Sequence, residues 1–199
     1  MSIAPRIEKF RDAMKGHEGC YVLIGGSACS ILFSEVGQRF RATKDLDIVL
    51  LVGQDDFLFA KTFWEFIKHG GYEIGKNSEG KYTYYRFKLP KQKLSTSEYP
   101  AEIELFARHA DFHTALGKTW ITPLPFDEAI SSLSAIILDD GYYEFIRAYA
   151  TPIHGITTLS ALHIIPLKMR AHIDNRRLHD EGEKIQGEVS QSTVTILST

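Results

Sequence analysis

Two aspartates, Asp45 and Asp47, lie one residue apart at the start of an apolar stretch of the sequence. Leu46–Val52 reads "LDIVLLV", and Asp45 directly precedes it. A short apolar run of this kind predicts a buried strand, on which alternation places Asp45 and Asp47 on the same face. Ionised carboxylates buried in this way are costly unless a positive charge lies between them. The chain is therefore expected to build a sheet that presents an acid pair to a cation.

The other elements are predicted from apolar periodicity and from glycine and proline stop signals. They are a helix over Pro5–Lys15, a strand at Cys20–Ile24, a helix ending at Gly37, a helix ending at Gly70-Gly71, strands in "YEIGK" and "KYTYYRFKL", a strand at Ala101–Ala107, a hairpin turning at Asp139–Gly141 and a late helix kinked at Pro166. This order predicts an α/β (α+β) fold with a mixed β-sheet of roughly four or five strands flanked by helices, followed by a small C-terminal helical region.

Length and charge limit the organisation and the partners. The 199 residues allow one or two domains. We expect a core over residues 1–120, and a hairpin and helix region over 121–199 that completes the site and ends in a loosely held tail. The net charge of −2 gives no general attraction to nucleic acid or anionic membranes, so a basic binding surface must be local.

The compartment is predicted from the cysteines and the apolar runs. Two cysteines, Cys20 and Cys29, are too few for a disulfide framework and are expected to be reduced. The charged start "MSIAPRIEKFRDAMKG" does not resemble a signal peptide. No apolar run approaches the roughly 20 residues that cross a bilayer. We therefore expect a cytoplasmic protein without a membrane partner.

The acid pair predicts a magnesium site. Mg²⁺ prefers oxygen ligands and is commonly held by one or two carboxylates together with substrate phosphates. A third carboxylate on a neighbouring strand would complete a site for two metal ions. Glu104 lies in "IEL", which repeats the pattern of "LDI" around Asp47, and Glu102 on the same face is the reserve candidate.

A glycine pair lies between the first predicted strand and the helix that ends at Gly37. Gly25-Gly26-Ser27 lies between a strand and a helix, where free backbone N–H groups can bind phosphate and glycine permits close approach. The hydroxyl of Ser27 would add one donor. The motif lacks the Gly-Lys-[Ser/Thr] ending of a Walker A loop.

Together these motifs resemble the nucleotidyltransferase superfamily of DNA polymerase beta. That family has a glycine-rich helix start, an Asp-x-Asp strand and a third acidic strand. Within it, "GGSACSILF", "RATKDLDIVL" and "LHIIPLKMRAHIDN...DEGEKI" are similar to the AbiEii/AbiGii-type toxin nucleotidyltransferases. The similarity covers most of the chain, from about Tyr21 to Ile185.

The resemblance implies a role for each matching residue. Gly25, Gly26 and Ser27 would contact the nucleotide phosphates, while Asp45 and Asp47 would hold Mg²⁺. Glu104 would ligate metal or take the proton of the attacking hydroxyl.

The same resemblance assigns roles to the basic residues. Lys168 on the late helix would face the triphosphate. Lys44 and Arg41 would steer phosphate. The reaction implied is Mg²⁺-dependent transfer of a nucleoside monophosphate from a nucleoside triphosphate to an acceptor hydroxyl.

Several alternatives remain open on the sequence. The acceptor implied is RNA or tRNA, with a protein side chain or an antibiotic-type small molecule as alternatives, and an antitoxin partner is also implied. Because the tail "QGEVSQSTVTILST" departs from the family, a member that binds nucleotide or a partner without turnover is a further alternative. Glu104 could instead lie on a solvated sheet face. The strand "YTYYRFK" fits cross-strand packing better than base stacking.

Overall fold

The computed structural model describes residues 3–41, 43–51, 57–76, 82–108, 121–123, 134–138 and 140–180. Its elements in chain order are α1 (Pro5–Ala13), β1 (Tyr21–Ile24), α2 (Gly25–Glu35), β2 (Asp45–Leu50), α3 (Phe57–Gly70), β3 (Glu73–Lys76), β4 (Tyr82–Lys88), a 3₁₀ turn (Lys91–Lys93), β5 (Glu102–Arg108), β6 (Ile121–Pro123), β7 (Ser134–Leu138), α4 (Asp140–Tyr149), β8 (Ala150–Ile153), β9 (Ile156–Leu159) and α5 (Ala161–Asp180).

A mixed sheet of seven strands forms the centre of the fold. Its main order is β1-β2-β5-β4-β3, with β7 beside the C-terminal half of β5 and β6 beside β7. β2 and β7 run parallel to β5, and the other pairs are antiparallel. The predicted mixed sheet with helices is confirmed. The expected number of strands was too low, because short segments after residue 120 add β6 and β7 to the same sheet.

The hairpin predicted at Asp139–Gly141 is wrong. Asp139 itself lies outside the described residues, and Asp140–Tyr149 forms the helix α4. Tyr143 and Ile146 are its buried residues, three positions apart, which is a helical rather than a strand period. The turn-like Asp-Asp-Gly therefore precedes a helix and does not join two strands.

Aromatic packing places the helices on the sheet. Phe10 of α1 packs edge-on against Tyr21 of β1 and against Phe66 of α3. Phe59 and Phe63 of α3 stack on each other, and all of these rings are buried. The apolar faces of α1 and α3 thus join one side of the sheet in a single core, which stabilises the strands that carry the acidic residues.

A small antiparallel hairpin of β8 and β9 attaches the C-terminal helix. It turns at His154 and Gly155, both of which have positive φ angles. The buried hydroxyl of Thr158 donates a hydrogen bond of 2.8 Å to the carbonyl of Leu23 in β1. The helix α5 follows, continues through Pro166 and packs on α2. The predicted late helix is confirmed, and this attachment sets where it lies.

Two further expectations concern the thiols and membranes. Cys20 and Cys29 form no disulfide with each other and are partly buried. Among the described residues, no helix combines the length and apolar character that a membrane span requires. The predicted tail lies outside the described residues.

Candidate functional site

Four carboxylates lie on two adjacent parallel strands. In the register of β2 and β5, Asp45 is opposite Glu102 and Asp47 is opposite Glu104. Alternation along each strand directs all four side chains to the same face of the sheet. We call this group the acidic array. The predicted juxtaposition of Asp45, Asp47 and Glu104 on neighbouring strands is therefore present, and Glu102 belongs to it.

Two cations from β4 pair with the β5 half of the acidic array. Arg86 is opposite Glu104 in the register, and its Nε forms a short hydrogen-bonded ion pair with the Glu104 Oε1. Arg86 Nε also lies 3.3 Å from Glu102 Oε1, and Lys88 Nζ lies 3.3 Å from the same oxygen. Glu104 is buried, so the expectation of a solvated sheet face for it does not hold. The structure makes it one half of a buried ion pair.

Asp47 has a different environment. Burial, together with the charges of Glu104 and Asp45, raises the pKa of its carboxyl group to about 8, against the opposing charge of Lys168. Its partner in the register of β1 is Ile24, which carries no charge. Within the described part of the chain, Asp47 forms no ion pair shorter than 4.0 Å. An acid in this setting holds its proton at neutral pH unless a cation arrives.

Asp45 lies at the exposed start of β2. Desolvation raises the pKa of its carboxyl group, and the charge of Glu102 acts in the same direction. Arg6, Lys44 and Lys88 oppose this shift. The two aspartates therefore face different cations, since Lys168 acts on Asp47 whereas Arg6 and Lys44 act on Asp45.

Gly25 is required by the position of Asp47. Its φ angle is +67°, and a Cβ atom at this residue would lie 2.1 Å from the Asp47 Oδ2. The carboxylate thus occupies the space that any side chain would need. At Gly26 the constraint is weaker, since a Cβ would lie 2.9 Å from the Thr43 hydroxyl. The glycine pair serves to bring the start of α2 against the acidic array.

The Ser27 hydroxyl has a structural partner. It donates a hydrogen bond of 2.5 Å to the backbone carbonyl of Asp45, and the side chain is fully buried. This bond fixes α2 to the first residue of β2. The phosphate contact expected of Ser27 stays a prediction, and it would require the hydroxyl to leave Asp45.

Lys168 lies on α5, partly buried, where this helix packs on α2. Its charge acts on the carboxyl of Asp47, as described above, and on the Cys29 thiol, whose pKa is raised by burial against the opposing charge of Lys168. Lys168 is therefore close enough to act on the acidic array, and its contact with a triphosphate stays a prediction.

Lys44 and Arg41 lie elsewhere, at a surface groove. With Arg6 and Arg39 they line a cavity of about 690 Å³ between the start of α1, α2 and the connection from α2 to β2. We call it the basic groove. It adjoins Asp45, because Lys44 directly precedes that residue in the chain.

The carboxylates provide the donor chemistry that Mg²⁺ prefers, but their arrangement is not a closed ligand set. Among the described residues, no three His, Cys, Asp or Glu side chains come together in a geometry that could hold a metal ion. Glu104 already forms an ion pair with Arg86. The residues that fit a divalent cation best are Asp45 and Asp47, with remaining ligands expected from substrate phosphates or water.

Sequence reasoning missed two residues of this region. Arg86 was assigned to packing, although Arg86 and Lys88 alternate in phase with Glu102 and Glu104, and opposite charges favour cross-strand pairing. Arg6 gave no signal, because only the tertiary packing of α1 brings it near Asp45. The side chains of Tyr82 and Tyr84 lie outside the described residues.

Comparisons with known proteins found no match to this chain, either among family models or among curated proteins.

Proposed function

We propose that the chain is a Mg²⁺-dependent nucleotidyltransferase of the nucleotidyltransferase fold. An acceptor hydroxyl would attack the α-phosphorus of a nucleoside triphosphate and form a new phosphate ester, while the bond from the α-phosphorus to the α,β-bridging oxygen breaks and pyrophosphate leaves. The proton of the hydroxyl would pass to a carboxylate of the acidic array. The observation that carries this proposal is the acidic array, in which Asp45 and Asp47 lie opposite Glu102 and Glu104 on parallel strands.

The charge balance of the acidic array supports a metal–nucleotide ligand. β4 supplies Arg86 and Lys88 to the glutamates, but β1 supplies no cation to the aspartates. The expected positive charge must therefore come from a ligand or from outside the sheet. A bound Mg²⁺ would neutralise charge that develops on the transferring phosphate. Asp45 and Asp47 would hold it.

The surrounding elements support a nucleotide at this position. The helix α2 begins at Gly25 with no side-chain cap on its first N–H groups, which favours a bound phosphate there. Lys168 faces the same place from α5. These residues would orient the triphosphate, and positioning of this kind is the main contribution of proteins to phosphoryl chemistry.

The acceptor class is supported by the basic groove. An aminoglycoside-like acceptor is cationic and would be repelled by Arg6, Arg39, Arg41 and Lys44, whereas RNA would be attracted. A toxin-like activity on RNA is therefore the preferred form of the proposal, and transfer to an antibiotic is the weaker one. An antitoxin partner is an expectation of the family resemblance alone.

A second candidate is nucleotide binding without turnover. It is favoured by the ion pair of Arg86 with Glu104, because the third carboxylate of the predicted catalytic set is engaged. In that case Asp45 and Asp47 would still bind a metal–nucleotide complex, but no pyrophosphate would be released.

The test is a thermal-shift series with ATP, GTP, CTP and UTP, each with and without Mg²⁺. Ligand at one hundred times its dissociation constant stabilises a protein by about 2.7 kcal/mol, which raises the Tm of a chain of this size by about 5–10 °C. We expect such a rise with at least one nucleotide, only when Mg²⁺ is present. Pyrophosphate release with labelled nucleotide and cellular RNA then measures turnover.

Two variants make the result specific. Asp47→Asn is expected to abolish the Mg²⁺-dependent shift and to lower turnover at least about 100-fold, as loss of a charge-stabilising group does. Asp12→Asn removes an exposed acid on α1 and should leave both unchanged. Binding without pyrophosphate release would favour the second candidate. No shift with any nucleotide would contradict both.

A further inference from the structure

The basic groove has a local excess of positive charge. Arg6, Arg39, Arg41 and Lys44 line it together with one acid, Glu98. The whole chain carries a net charge of −2, so this excess is local. Grooves that follow a nucleic-acid backbone are basic in the same way.

One donor in the groove has no partner among the described residues. Arg6 Nη2 donates a hydrogen bond of 2.6 Å to the carbonyl of Leu94, but Arg6 Nη1 is buried and makes no hydrogen bond to the part of the chain that the structure describes. A buried N–H without a partner is costly, and a guanidinium is suited to a phosphate. Arg6 is held by α1 and by the loop after the 3₁₀ turn, and it lines the groove, so its position is fixed before an anion binds.

The groove also contains an aromatic ring beside its cations. Phe40 is partly buried between Arg39 and Arg41, and its ring packs against Phe33 at 5.1 Å between centroids. The Arg41 guanidinium lies 5.9 Å from the Phe40 ring centre. Aromatic rings next to backbone-binding cations are the means by which proteins bind single-stranded nucleic acids, since every base can stack.

The position of the groove distinguishes it from the proposed nucleotide position. The charge of Lys168 acts on Asp47, while the charges of Arg6 and Lys44 act on Asp45. The groove nevertheless adjoins the start of α2, because Gly26 lies next to Thr43, which lines the groove. Lys168 and Arg41 also both act on Cys29.

We propose that the basic groove binds the backbone of a single-stranded nucleic acid and directs its terminal hydroxyl to Asp45. The proposed binding surface depends only on the features of the groove, whereas the role of the bound strand as acceptor rests on the proposed nucleotidyl transfer.

The experiment measures fluorescence anisotropy of a labelled single-stranded RNA about 20 nucleotides long, which exceeds the site sizes of about 4–16 nucleotides that are typical of such proteins. It is carried out in EDTA and without nucleotide. Single strands lose affinity with a log–log salt slope of about −0.7 per neutralised phosphate, so four contacts predict a slope of about −2.8. Affinity should then fall about 50-fold from about 50 to about 200 mM salt.

Matched variants locate the binding. The double variant Arg39→Ala/Arg41→Ala, which removes two exposed side chains, should reduce the slope to about −1.4. The control Lys61→Ala/Lys68→Ala removes two exposed cations from α3, outside the groove, and should leave the slope unchanged. Arg6→Lys keeps the charge but loses the fork, and should weaken binding with little change in slope.

Several results would overturn the proposal: no saturable RNA binding, equal effects of the two double variants, tighter binding of the duplex than of the single strand, or displacement of the RNA by Mg²⁺-ATP. Asp47→Asn separates the two proposals, because it should keep RNA binding while it loses the nucleotide shift. RNA binding without nucleotide binding would support the groove proposal and contradict nucleotidyl transfer. Turnover without groove-dependent RNA binding would support nucleotidyl transfer and contradict the groove proposal.

Discussion

The two halves of the acidic array are neutralised in different ways. On β5, Glu102 and Glu104 face the cations of β4, and Arg86 and Glu104 bury their pair almost completely. On β2, Asp47 lies opposite Ile24 of β1, and β1 carries no charged residue. The strands are neighbours in one sheet, yet among the described residues only the glutamates form ion pairs with cations of the sheet.

This difference separates a structural from a functional use of buried acid. When one partner of a buried, hydrogen-bonded ion pair is removed, the protein is destabilised, because the other charge is left buried without its partner. A carboxylate that is buried without a cation costs stability, and such residues are found where a protein needs a perturbed pKa. The glutamates fit the first description, and Asp47 fits the second.

The largest expected effect is the opposite response of the two halves to neutralisation. Glu104→Gln should destabilise the protein by about 3 kcal/mol, because it leaves Arg86 buried with only Glu102 nearby. Asp47→Asn should stabilise the protein without ligand by about 2 kcal/mol at pH 7.5, since it removes a buried acid that resists ionisation. Urea unfolding in metal-free buffer measures both.

Exposed Asp12 again provides the control, and Asp12→Asn should change the free energy of unfolding by less than about 0.5 kcal/mol. If Glu104→Gln and Asp47→Asn destabilise the protein equally, the distinction between the two halves fails.

The next effect concerns the space that Asp47 shares with Gly25. Gly25→Ala should destabilise by about 3 kcal/mol, because it combines a strained positive φ with a Cβ placed 2.1 Å from the carboxylate. Gly16→Ala is the matched control, since Gly16 has a φ of +88° but nothing within 4 Å of its Cβ. It should cost only the backbone strain, about 1 kcal/mol. If Gly25→Ala and Gly16→Ala lower the stability measured by thermal unfolding equally, the Asp47 side chain moves away from the new Cβ at no cost.

The pH dependence should isolate Asp47. In the folded protein its carboxyl keeps a proton up to a pKa of about 8. The unfolded chain releases the same proton near pH 4, to within about a unit. The free energy of unfolding should therefore fall as the pH rises between these values, by at most about 1.4 kcal/mol per pH unit.

Asp47→Asn should remove this fall. Urea unfolding of both proteins at about pH 5.5, 6.5 and 7.5 measures the difference in slope. Parallel curves would show that Asp47 ionises normally in the folded state.

The smallest effect is expected at Lys88, which pairs with the glutamate half of the acidic array. Lys88 has an ion pair with Glu102, but about half of its side chain is exposed (51%). Lys88→Ala should cost less than about 0.5 kcal/mol, because solvent screens such pairs. Its effect should vanish at high salt, whereas that of Glu104→Gln should persist. A large loss for Lys88→Ala would mean that the β4 cations act as one unit.

The elements of the fold could be predicted from the sequence where local signals agreed. The positions of β1, α2, β2 and α3 follow from apolar runs bounded by glycines, and Gly37 and Gly71 do adopt positive φ angles. The strand β7 coincides with the first half of the predicted hairpin, whereas β6 could not be predicted, because a strand of three residues carries little periodic signal. At Asp140 turn chemistry suggested a hairpin, but the tertiary packing of Tyr143 and Ile146 selected a helix.

The candidate site was predicted where side chains share one strand and missed where they meet across the fold. Alternation alone places Asp45 with Asp47, and the repeat of the acidic pattern pointed to Glu104. The pairing of Arg86 with Glu104 needed the strand order, which the sequence does not specify. The approach of Arg6 to Asp45, and the burial of Ser27, needed the packing of helices on that sheet.

The hydrogen bond from Thr158 to Leu23 also has a consequence for synthesis on the ribosome. It joins residues 135 positions apart, and the helix that carries Lys168 follows it in the chain. Translation proceeds at about 5–20 residues per second, so the emerging polypeptide holds its aspartates for several seconds before that lysine exists. An incompletely translated chain would thus carry the acidic strands without the cation that α5 supplies, and the charge of Lys168 would reach Asp47 only after α5 has docked.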